Sequence, residues 1–159
     1  MAIATEAGDP GMLDRRRLLR SVIAAAAIST PFASAQAEEK PGLFVNLTTD
    51  DVWAASKAIF FAHQRALKGG YRPVTIWLNI RAVYLADKRR APARLNPETP
   101  DIHSMLRAFI ADGGQVIACM MCSRVAGLTK DDLIDGVVMG APDVVLPAMM
   151  GPNIRTLTW

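Results

Sequence analysis

Apolar positions in this chain alternate between short continuous runs and longer stretches with helical spacing, beginning at residue 43. Residues 43–47 (L-F-V-N-L) read as a first strand, and Thr48, Thr49, Asp50 and Asp51 behind it offer several N-caps. Over 52–67, Ala55, Ile59, Ala62 and Ala66 recur on one side of a predicted helix, with Phe60 and Leu67 beside them. Gly69-Gly70 stops it. Residues 74–78 (V-T-I-W-L), introduced by Pro73, form the second predicted strand, and a shorter helix is expected over 82–87.

Residues 88–100 are basic and carry Pro92, Pro97 and Pro100, so they read as the longest loop. Asp101 is placed to cap a helix through Ile110, closed by Gly113-Gly114. A third strand is predicted over 115–120 (Q-V-I-A-C-M) and a short helix over 122–126, ending at Gly127. Thr129, with Asp132 three residues on, marks a further capped turn. Residues 137–139 and 154–159 are the fourth and fifth predicted strands, with a helical turn over 144–149 between them.

Strands separated by helical crossovers imply an α/β protein, here a three-layer α/β/α single domain around a mainly parallel five-stranded sheet. Ligands of such sheets sit beyond the carboxyl ends of the strands. The pattern therefore predicts that Thr48 to Asp51, Asn79 and Cys119 to Cys122 share one edge.

The segment before residue 38 reads as an address. Residues 14–20 are D-R-R-R-L-L-R, followed by S-V-I-A-A-A-A-I-S-T-P-F, and two small-x-small sites end at Ala35 and Ala37. This predicts an export signal over 1–37 and a folded domain over 38–159. Arg15 and Arg16, with Leu18, Leu19 and Arg20 behind them, resemble a twin-arginine signal, although Asp14 and Leu18 depart from the usual pattern. The implied partner is the twin-arginine export machinery, and the implied location is the periplasm. No stable membrane span is expected after cleavage, because the apolar run is broken by Ser and Pro.

Composition narrows the classes further. The 159 residues carry a net charge of +3 and are 6% aromatic. Four Lys and Arg but only three Asp and Glu lie in the first 35 residues, which leaves 14 against 12 in the remainder. A near-neutral domain gives no ground for nucleic acid as a partner. Two cysteines cannot build a disulfide scaffold or a four-thiolate zinc site. No Gly-rich phosphate loop, H-E-x-x-H or G-x-S-x-G segment occurs.

The chemistry falls to Cys119-Met-Met-Cys122, where a strand ends and a helix starts. Cys122 is expected near the helix N-terminus, where unpaired N–H groups favour a thiolate and lower the thiol pKa, with Arg124 adding positive charge. Cys119 belongs to the strand end. Two other readings stay open: both thiols can be small core residues or an inert bridge, and with Met120, Met121, Met139, Met149 and Met150 they form a sulfur-rich set that suits copper. His63 and His103 have no ligand-spaced neighbour and read as packing or surface residues.

The strand I-A-C-M-M-C running into S-R-V-A-G-L-T-K-D-D-L-I-D-G-V resembles the DsrE/DsrF-like family. Residues 74–79 with Val83 to Ala86 are similar to that family's second strand and following helix. The resemblance implies a compact α/β/α homo-oligomer and a sulfur-relay role. Cys122 then carries sulfur as a persulfide between a donor and an acceptor, either proteins or small sulfur compounds, and Cys119 is the resolving partner. Asp50, Asp51, Asn79 and Arg124 are the expected site rim. No cofactor is implied. The alternative is a non-catalytic binding or assembly module with structural or copper-binding cysteines.

Overall fold

Five strands, each too short to stand alone, pair into one all-parallel sheet. The computed structural model describes residues 40–159, so the expected export signal lies outside the described residues. Strands β1 (Gly42–Leu47), β2 (Val74–Leu78), β3 (Gln115–Cys119), β4 (Val138–Gly140) and β5 (Ile154–Thr158) are arranged in the order β4-β3-β2-β1-β5. The three inner strands are buried along nearly their whole length, as parallel strands with helices against them should be.

Helix α1 (Val52–Phe60) starts at Asp51, whose carboxylate accepts the Ala54 N–H at 2.9 Å. Its continuation, Phe61–Leu67, winds as a π-helix rather than the regular helix expected from the spacing. Within it His63 is buried, with Nε2 2.6 Å from Asp112 Oδ2. The short helix after β2 is a 3₁₀ segment, Ile80–Ala86. Helix α2 (Ile102–Ala111) is capped by Asp101, as the sequence predicts, and α3 (Met120–Val125) and α4 (Pro142–Met150) follow β3 and β4. The Thr129–Asp132 pair also forms, with Asp132 Oδ2 accepting from the Thr129 N–H and hydroxyl.

The period of two along the strands divides the core. Val45, Leu47, Ile76, Leu78 and Val116 face α1, the π-helical turn and α2. Phe44 and Ile117 face the other way, with half-buried Trp77, and among the described residues α4 is the helix that covers them, chiefly through Val145. The chain crosses from β4 at one edge to β5 at the other through α4.

Gly114 links α2 to β3 so closely that a Cβ there would overlap the ring of Phe109, a fully buried core residue. An aromatic ring locked in the core cannot yield as a flexible side chain does. Gly114→Ala is expected to cost about 2 kcal/mol, within the usual range for overpacking. Urea denaturation of wild type and variant measures it, and equal midpoints would contradict the packing described.

Candidate functional site

Adjacency of β1, β2 and β3 brings their carboxyl ends together at one edge, and each end contributes a polar group. Asn46 is the one polar side chain of the first run, Asn79 follows β2, and Cys119 ends β3. They connect laterally. Asn79 Nδ2 donates to Asn46 Oδ1 at 3.2 Å, and the Cys122 thiol donates to Asn79 Oδ1 at 3.3 Å.

Helix α3 begins two residues earlier than expected, and this changes the roles of the two thiols. Cys119 is the N-cap, its Sγ accepting the Cys122 N–H at 3.4 Å. Cys122 lies inside the first turn of a six-residue helix, and its own N–H is already engaged. Both cysteines are reduced and half-buried. The two thiols therefore share one edge, joined by a backbone-to-sulfur hydrogen bond.

The N–H that reaches the Cys122 sulfur comes from outside the helix. Ile80 N donates to Cys122 Sγ at 3.2 Å and also to Asn79 Oδ1 at 2.9 Å. Ile80 holds φ at +51°, a left-handed conformation that a β-branched residue rarely takes. Such outliers persist only where neighbouring structure imposes them. Here the Asn79 side chain caps the 3₁₀ segment, and Ala82 N donates to the Asn79 carbonyl at 2.9 Å.

Burial pushes the Cys122 thiol pKa up, and the hydrogen bond with Cys119 pushes it the same way; the Ile80 N–H opposes both but does not prevail. This corrects the expectation of a thiol acidified by the helix N-terminus. A six-residue helix offers little aligned dipole, and Asn79 Oδ1, an acceptor, favours the protonated sulfur.

The other rim residues lie apart from this contact. Asp50 is held by Arg81 through two bonds, 2.9 and 2.7 Å, and that guanidinium keeps its carboxyl below the usual range. Asp51 is occupied in capping α1. Arg124 is exposed in the last turn of α3 and stands two residues from Cys122, about 200° around the helix. Asn46, Ile80 and Arg81 were not anticipated. Asn46 carried a signal, a lone amide in a buried strand, whereas nothing in a sequence marks an isoleucine for positive φ. The surface beside the thiols is apolar: Met121 is 62% exposed, Val125 81% and Ile80 58%. Ser123, fully buried next to Cys122, has no hydrogen-bond partner among the described residues for its hydroxyl. His63 and His103 are buried packing residues. Among the described residues no group of three or more His, Cys, Asp or Glu side chains is placed to hold a metal, and no helix is long and apolar enough to cross a membrane.

A parallel α/β/α sheet with a cysteine at the strand-to-helix turn defines the class. The DsrE/DsrF-like family model matches residues 42–146, and the chain belongs to that family. An uncharacterized protein of Methanopyrus kandleri, MK0008, is 34% identical over 83 residues, 52% of this chain and 64% of that protein. The chain thus spans less than two thirds of that relative's length. Its fold is similar to the crystal structure of the E. coli ychN protein, with a TM-score of 0.62, 19% identity, and coverage of 76% of this chain and 99% of the other. A Methanobacterium thermoautotrophicum protein of unknown function, MTH1491, is similar at a TM-score of 0.55 and 15% identity, over 76% of this chain and all of that one.

The raised pKa has a direction that can be measured. A thiol with an elevated pKa is protonated at neutral pH, so iodoacetamide should modify Cys122 more slowly at pH 7 than a free peptide thiol. Its rate should keep climbing above the ordinary thiol midpoint of about 8.5. In Asn79→Asp a carboxylate faces the sulfur and the midpoint should move higher still. Mass-resolved alkylation from pH 6 to 11 reads both, and a wild-type midpoint below 8 would refute the protonated resting state.

Proposed function

We propose that this protein carries sulfur as a persulfide on Cys122, as a relay of the sulfurtransferase type within the DsrE/DsrF-like family. The observation that supports it most is the reduced Cys119–Cys122 pair, joined by the Cys122 N–H to Cys119 Sγ contact at an accessible sheet edge. A thiolate at Cys122 attacks the outer sulfur of a donor persulfide, R–S–SH. The S–S bond breaks, Cys122 becomes Cys122–S–SH, and R–S⁻ leaves and takes up the proton Cys122 released to water. An acceptor thiolate then takes the outer sulfur and returns Cys122 to its thiolate. Alternatively, Cys119 attacks Cys122 Sγ, hydrosulfide departs, and a Cys119–Cys122 disulfide remains. The raised pKa reduces the thiolate fraction but leaves each thiolate the stronger nucleophile.

In this reading the protein acts outside the cytoplasm, after twin-arginine export over residues 1–37, between a sulfur donor and a sulfur acceptor. Intact mass spectrometry tests the chemistry. Full-length protein incubated with glutathione persulfide should gain the mass of one sulfur, lost on mild reduction. Cys122→Ser should abolish the adduct, and Cys119→Ser should load normally but release hydrosulfide more slowly. Loading that survives Cys122→Ser would remove Cys122 as carrier.

A second reading, an assembly module, is favoured by the thin cover on the α4 face. Leu146 and Met150 of α4 and Val138 of β4 are exposed there, beside buried Phe44 and half-buried Trp77. Homo-oligomerisation would cover these side chains. Analytical ultracentrifugation should show an oligomer that Leu146→Glu with Met150→Glu dissociates; a wild-type monomer at micromolar concentration would exclude this surface as a self-association face.

A further inference from the structure

A second concavity lies away from the cysteines, toward the strands' amino ends and on the α1 side of the sheet. Its origin is topological. The π-helical turn Phe61–Leu67 packs over β1 and β2, whereas β5 joins the far edge of β1 and, among the described residues, no helix covers that face of it. Arg155 and Leu157 project from β5 on the same side, two residues apart, and a trough of about 330 Å³ is left between β5 and the π-helical turn.

Its walls are apolar, with Leu43, Phe61, Ala66 and Leu157 prominent, and two exposed arginines, Arg65 and Arg155, also line it, the Arg65 guanidinium lying 5.6 Å from the centroid of the Phe60 ring. Among the described residues, no Asp or Glu lines it. Among the described residues, neither arginine takes part in an ion pair, although seven such contacts occur elsewhere. Lys40 Nζ lies 5.2 Å from the centroid of the ring of Tyr71, a wall residue, and donates to the Gly69 carbonyl at 2.6 Å.

We propose that this trough binds a single small amphiphile with an apolar chain and a carboxylate, of the medium-chain fatty acid type. The apolar walls favour a hydrocarbon tail, and each methylene removed from water adds up to about fourfold in affinity. The forked donors of the arginines match a carboxylate in shape and charge. The volume sits at the lower end of small-molecule sites, enough for one chain and too small for a folded partner. The site is independent of Cys122 and does not require the sulfur chemistry.

Calorimetric titration of the full-length protein with decanoate, below its micelle concentration, tests the proposal. Intrinsic fluorescence is a second readout, because the Trp159 ring lies 5.9 Å from that of Phe61. Decanoate should bind at one site, about tenfold tighter than octanoate and at least tenfold tighter than decanol. Arg65→Gln and Arg155→Gln should each weaken decanoate about tenfold and leave decanol unchanged. Leu157→Trp, which fills the trough, should abolish binding of both. The proposal is overturned if decanoate does not bind, if decanol binds equally well, or if the double arginine substitution has no effect. Cys122→Ser should bind decanoate as wild type does, so this result and the fate of the persulfide reading can be told apart.

Discussion

In-register parallel pairing of β1, β2 and β3 is the constraint from which the site follows. Leu47 pairs with Leu78, and Leu78 with Ala118, so all three strands end within one residue of a common line. The residues just past that line have to face each other. Asn79 occupies the middle position and mediates between its neighbours, donating to Asn46 on one side and accepting from Cys122 on the other. Without the shared register, the amides and the thiol would belong to three unrelated loops.

That geometry also fixes the resting chemistry of the sulfur. Cys122 has an N–H on one side, from Ile80, and a carbonyl oxygen on the other, from Asn79. The donor favours an anion, the acceptor favours the neutral thiol, and desolvation settles the balance toward the neutral form. A neutral, half-buried thiol resists casual oxidation better than an exposed thiolate, because susceptibility follows thiolate character and accessibility. The cost is speed at neutral pH, unless a bound donor changes the surroundings of the sulfur. The strained backbone at Ile80 is then understandable as part of the site, since in that conformation one N–H reaches both Asn79 Oδ1 and Cys122 Sγ.

The fold was legible in the sequence because its signals are local and mutually consistent. Short runs rich in apolar and β-branched residues marked the five strands, the Thr48–Asp51 segment and Asp101 marked two helix starts, and the prolines at 92, 97 and 100 marked the long loop. Convergence of Asn79 with the cysteine segment also followed from topology alone. Less legible were features that depend on backbone geometry at single residues. Apolar spacing did not separate the π-helical turn at Phe61–Leu67 from a regular helix. Starting α3 at Met120 instead of Cys122 made Cys119 the cap, and burial, with the Cys119 hydrogen bond, raised the Cys122 pKa against the expected direction. Two residues of offset were enough to exchange the roles of the two thiols, because hydrogen bonds to sulfur are decided over a single residue's rise.

The edge order also governs how the sheet can be completed as the chain is synthesised. β1 emerges first but sits inside the sheet, and one of its two flanks is closed only by β5, with Gly42 facing Ile154. Pairing across more than a hundred residues is slow by its nature. Until the last strand leaves the ribosome, Leu43, Phe44 and Val45 present an open, sticky border to whatever is nearby. Nascent-chain quality control would therefore meet this protein at its weakest in the interval before β5 appears.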